Sequence, residues 1–79
     1  MGLLIDIEKT KENASEVVYS FSTPEGNVGK VSIHKETGEC FVIEEPEWDK
    51  ESELATRVFR VLSKYWRKGD FPDITCWAS

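Results

Sequence analysis

The sequence predicts an α+β domain: a four-stranded antiparallel meander followed by one amphipathic helix packed on one face, with a short docked C-terminal tail. Three observations predict it. Apolar residues alternate with polar ones in four stretches before Pro46, short runs of turn-forming residues separate most of these stretches, and residues 49–68 alone show helical periodicity. A chain of 79 residues holds one core, so residues 1–79 are read as a single domain.

Residues 2–8 place Leu3, Ile5 and Ile7 on one side and Leu4, Asp6 and Glu8 on the other, the pattern of a half-buried strand. Residues 9–15 are polar and are read as a wide turn. In residues 16–22, Val17, Tyr19 and Phe21 face inward, opposite Val18, Ser20 and Ser22. The turn-rich residues 23–27 suit a hairpin into residues 28–35, where Val31 and Ile33 point inward and Lys30, Ser32 and His34 outward. Residues 35–39 form a second hairpin turn, with Gly38 supplying a positive φ. The fourth strand, residues 40–45, is expected to turn Phe41 and Ile43 inward and Cys40, Val42 and Glu44 outward, and Pro46 ends it. Loops this short imply antiparallel neighbours.

In the helix, Leu54, Val58, Val61, Leu62 and Tyr65 recur at spacings of three and four, and Ala55, Phe59 and Trp66 widen the stripe. Arg57, Arg60, Lys64 and Lys68 fall mostly between them. Asp49 or Ser52 caps the start, and Gly69, followed by Pro72, closes the end. Glu51 and Glu53 suit the positive end of the macrodipole, and Arg67 and Lys68 the negative end. The tail, residues 70–79, holds Phe71, Ile74, Cys76 and Trp77 and is too apolar to remain in water. It is expected on the sheet edge or beside the helix. The outer sheet face would expose Leu4, Val18, Cys40 and Val42 among Ser20, Ser22, Ser32 and His34. The reading favours the tail as its cover; otherwise a homodimer forms through it.

No apolar run reaches the ~18 residues of a membrane span, and the N-terminus lacks the basic region of a signal peptide. The expectation is a cytoplasmic chain without membrane contact, in which Cys40 and Cys76 are reduced thiols. Gly29-Lys30 resembles the end of a phosphate-binding loop, but Pro24 stands where that motif needs glycine and Val31 where it needs serine or threonine. His34, the only histidine, lacks a nucleophile-elbow pattern, and with Cys40 and Cys76 it matches none of the paired spacings of structural zinc. No catalytic residue, metal ligand or cofactor site is assigned.

Charge placement is more informative. Residues 44–53 carry Glu44, Glu45, Glu47, Asp49, Glu51 and Glu53 against Lys50 alone, a net −5 that equals the charge of the whole chain. The plain reading is a solvated helix start whose acids favour the dipole. The functional reading is a docking surface for a basic protein, with Trp48 as an aromatic contact inside an acidic rim. At the opposite pole, Arg57, Arg60, Lys64, Arg67 and Lys68 raise nucleic-acid binding, but a pI of about 4.8 opposes it and dipole complementation explains the same cations. Size, acidity and the absence of a catalytic motif lead to a small non-catalytic protein-binding module. Its concrete form is an inhibitor or immunity-type protein that occludes a basic toxin or nuclease with Glu44, Glu45, Glu47, Trp48, Asp49, Glu51 and Glu53. The alternative is a self-associating structural or accessory domain that uses the outer sheet face.

Overall fold

The structure, a computed structural model, describes residues 4–45 and 53–78. In chain order these form β1 (Leu4–Glu12), β2 (Glu16–Ser22), β3 (Val28–His34), β4 (Cys40–Glu44), α1 (Glu53–Lys68) and β5 (Ile74–Ala78). The strands make one antiparallel sheet in the order β4-β3-β2-β1-β5, and the helix packs on one face. The meander and the helix agree with the sequence pattern. Residues 49–52, to which that pattern assigned the helix start and its caps, lie outside the described residues.

The inner strand positions behave as their alternation requires. Ile5, Ile7, Val17, Tyr19, Phe21, Val31 and Ile33 are buried against Leu54, Ala55, Val58 and Leu62 of α1, with Phe59, Val61 and Trp66 packed at the margin. The helix closes on Gly69 (φ 72°), whose amide donates to the Trp66 carbonyl at 3.0 Å while the Asp70 amide donates to Tyr65 at 3.1 Å. These two bonds satisfy carbonyls that would otherwise lack partners at the helix end. At the β3–β4 turn, Gly38 has φ 77°, and a Cβ there would stand 2.8 Å from the Trp66 ring. The Trp66 indole Nε1 donates to the Lys35 carbonyl at 2.8 Å, so this turn and the last helical turn are one packed unit.

Three expectations are corrected. The first concerns residues 9–15: β1 continues to Glu12, and only the Asn13 turn separates it from β2, with Asn13 Oδ1 accepting the Ser15 and Glu16 amides at 2.9 Å. A bulge at Thr10 shifts the pairing from Lys9↔Tyr19 to Lys11↔Val18, which puts Lys9 and Glu12 on the same side. Lys9 Nζ then meets Glu12 Oε1 at 2.6 Å and Lys35 Nζ meets Glu12 Oε2 at 2.8 Å, so charge pairing takes the place of apolar burial here.

The second correction is the tail, which becomes β5 along the free side of β1, with Ile5 opposite Trp77 and Ile7 opposite Thr75. It occupies a sheet edge, as one of the two expected positions, but does not cover the outer face. The third is the facing of β4. Cys40 pairs with inward Ile33 and Val42 with inward Val31, whereas Phe41 pairs with outward Ser32 and Glu44 with outward Lys30. Phe41 and Ile43 are therefore not core residues. Ile43 is the extra residue of a bulge between Val42 and Glu44.

Candidate functional site

The site residues predicted from charge fall into two groups. Glu44 ends β4 opposite Lys30, Glu45 follows it, and Glu53 opens α1; all three are exposed. Glu47, Trp48, Asp49 and Glu51 lie outside the described residues. The described acids thus sit at the C-terminal end of an edge strand and at the first turn of the helix, where the Glu53 carbonyl accepts Arg57 Nη1 at 3.1 Å.

The edge strand itself is what the sequence pattern missed. Val42 faces the helix side, yet it is 38% exposed while its cross-strand neighbour Val31 is 0% exposed. The helix packs over β5, β1 and β3. The helix reaches β4 at Cys40, whose thiol lies against Ser63 and packs on the core, and leaves Val42 beyond it. Phe41 and Ile43 are 52% and 56% exposed. Three consecutive apolar residues therefore meet water on a strand that, among the described residues, pairs only with β3.

The backbone register identifies which polar groups this edge presents. The His34 amide donates to the Glu39 carbonyl at 2.8 Å. Hydrogen-bonded pairs alternate along an antiparallel ladder, so Ser32 and Phe41 bond each other, and the amide and carbonyl of Cys40 and Val42 point away from β3. Acids predominate along this stretch, with Lys30 of β3 standing opposite Glu44. From residue 36 to residue 45 the chain carries Glu36, Glu39, Glu44 and Glu45 and no lysine or arginine. The signal available in the sequence was the triplet Phe41-Val42-Ile43 between glutamates, which breaks the alternation of a half-buried strand.

Other candidate groups are dispersed. His34 points to the outer face opposite Glu16, and its Nδ1 is buried without a hydrogen-bond partner. Cys40 points to the helix side on β4, and Cys76 is exposed on β5 at the opposite sheet edge. Four strand spacings, roughly 19 Å, separate the two thiols, far beyond disulfide reach. Burial raises the Cys40 pKa, and its Sγ donates to the Gly38 carbonyl at 3.7 Å. Among the described residues no group of three or more His, Cys, Asp or Glu side chains is arranged to hold a metal ion. No helix among them is long and apolar enough to cross a membrane.

The densest polar cluster is structural. Glu12 lies between Lys35 and Lys9, whose hydrogen bonds pull its carboxyl down to about 2, and Lys9 also meets Asp73 at 3.3 Å. Tyr19 is buried beside this cluster, its pKa pushed up to about 12 by that burial, and its hydroxyl donates to the Pro72 carbonyl at 2.7 Å. These contacts fasten the chain between α1 and β5. The cations of α1 line its outward side. Arg60 and Lys64 border a groove with Tyr65, Thr75 and Trp77, and Arg57 stacks on the Trp77 ring at 5.2 Å. Neither a protein-family model, nor a curated protein, nor a solved structure matches the chain.

Proposed function

We propose that this chain is a small protein-binding module that engages a basic partner through β4 and the acidic residues that follow it in the sequence. One observation carries the reading: the exposed triplet Phe41, Val42 and Ile43 sits on an edge strand that leads directly into Glu44 and Glu45. Apolar contact inside a charged rim is the composition of a protein-docking patch, and opposite charge on the partner speeds association and selects against wrong partners. The reading gives the chain no chemistry of its own. Its concrete form is an inhibitor or immunity-type protein working in the cytoplasm, which shields the cationic site of a toxin or nuclease by placing carboxylates where phosphates would bind.

The test is capture from an extract of the source cells on immobilised protein, with the Glu47→Lys/Asp49→Lys variant in parallel. Wild type is expected to retain a basic protein at low salt that the variant loses while melting at the same temperature. Equal retention by both, or retention of nothing basic, would overturn the reading.

A second reading, self-association through the outer sheet face, is favoured by the position of β5, which leaves Leu4 and Ile74 exposed there. Asp6, Glu8, Lys30 and Glu44 break up that face. Mass in solution separates the readings: a dimer unaffected by salt supports the second, a monomer the first.

A further inference from the structure

We infer that the outward edge of β4 takes up an extended segment of the partner as an additional strand, a segment whose apolar residues are bracketed by lysine or arginine. The inference rests on the protein-binding reading above and names how that surface binds.

Backbone, side chains and charge each contribute to it. The amides and carbonyls of Cys40 and Val42 point out of the sheet at the spacing that a further strand needs. Edge strands in natural proteins are commonly defended by lysine, proline or inward-pointing charge. Positions 40–43 are Cys, Phe, Val and Ile and carry none of these three; the bulge at Ile43, itself an edge defence, confines an added strand to the ladder over Cys40 and Val42. An added strand would place its side chains beside Phe41 on the outer face and beside Val42 on the inner face, covering both. Glu39 and Glu44 flank the four residues, Glu44 with Lys30 on its β3 side, so basic residues at the two ends of the incoming segment would meet a carboxylate from the open side.

Charge also decides against a symmetric β4–β4 dimer at this edge. Pairing β4 with β4 of another copy sets two stretches of four glutamates and no cation side by side. Pairing β4 with β5 of another copy is electrically acceptable, because Arg57, Arg60 and Lys64 stand near β5. It is a head-to-tail contact, however, which builds rings or open chains and not a symmetric dimer.

The probe is a synthetic peptide of alternating valine and threonine with a lysine pair at each end, followed by fluorescence anisotropy against the full chain. Binding is expected, weaker at high salt, and lost when glutamates replace the lysines. N-methylation of the peptide's interior amides, which leaves the protein untouched, is expected to weaken binding about tenfold or more, the effect of losing at least one ladder hydrogen bond. Val42→Pro and Ile43→Lys are expected to do the same, with thermal unfolding confirming that each variant is folded.

Equal binding of the methylated peptide would overturn strand addition. If Glu44→Lys/Glu45→Lys abolishes that binding, the acidic docking surface survives and only its mode falls. No peptide binding, alongside charge-dependent capture of a basic protein from extract, has the same meaning; failure of both removes both readings. A salt-insensitive dimer, or assemblies that lengthen with concentration and exclude the peptide, would also overturn the proposal, because the edge would then belong to another copy.

Discussion

β4 and β5 are both five-residue strands at an edge of the same sheet, yet they are held by different means. β5 is fastened from several directions. Tyr19 and the Lys9 amide bond the carbonyls of Pro72 and Asp73 just before it, Tyr65 Oη and Thr75 Oγ1 are hydrogen-bonded at 3.1 Å, and Arg57 lies over Trp77. β4 has its ladder to β3 and a partly buried Cys40, while its remaining apolar side chains face water. The charges differ as well: Arg57, Arg60 and Lys64 of α1 stand near β5, which also has Asp6 and Glu8 as cross-strand neighbours, whereas β4 carries Glu44 opposite Lys30 and lies between Glu39 and Glu45. An exposed apolar residue thus carries different meaning at the two edges. Ile74, at 74% exposure, belongs to a strand that closes the core, whereas Phe41 and Ile43 contribute little to that core and are available for another surface.

The contrast is sharpest in a matched pair of substitutions. Trp77→Ala is expected to lower unfolding free energy by about 2 kcal/mol, because a half-buried aromatic that packs on the helix is lost. Phe41→Ala, which removes nearly as large a ring, should stay within about 0.5 kcal/mol. Comparable losses in urea unfolding would erase the distinction between the edges.

Tyr19→Phe should cost about 1–2 kcal/mol, since the part-buried Pro72 carbonyl loses its donor. The same variant carries a pH signature. The folded Tyr19 pKa is raised from 10.0 to about 12, so the fold favours the protonated phenol; its stabilisation is complete below pH 10 and is lost as pH rises toward 12. The variant should lack most of that alkaline loss, with a residual slope from Lys9, whose ammonium is favoured first by Glu12.

The smallest effect is expected for Glu12→Gln and appears only in acid. Lys35 and then Lys9 lower the Glu12 pKa from 4.5 to about 2, so its contribution is present above pH 4.5 and disappears as pH falls toward 2. Across that window wild type should lose more stability than the variant. Parallel acid profiles would show that this network does not help to hold the β5 side.

The legible part of the fold was the part with strict periodicity. Leu54, Val58 and Leu62 on the helix, and Ile5, Ile7, Tyr19, Phe21, Val31 and Ile33 on the first three strands, were all placed inward by spacing and are all buried. The second half of β1 was not legible, because Lys9 and Glu12 hold it by ion pairs across a bulge and leave no apolar alternation to read. In β4 the alternation is out of phase with the structure by one residue. Its phase follows from the geometry of the turn around Gly38, which the sequence indicates without fixing, and a slip of one residue exchanges the two faces. β5 depends on a pairing with β1 at the other end of the chain, which local pattern cannot supply. In the candidate site, charge indicates Glu44 and Glu45 but not the apolar edge beside them, since alternation alone turns Phe41 and Ile43 toward the core.

The most direct test is amide hydrogen exchange along both edges, with and without the lysine-bracketed valine–threonine peptide. Strand addition at β4 predicts that the peptide slows exchange at the outward amides of Cys40 and Val42 and leaves those of Ile74 and Cys76 on β5 unchanged. Protection on β5 instead, or no change at Cys40 and Val42 while the peptide is bound, would contradict it.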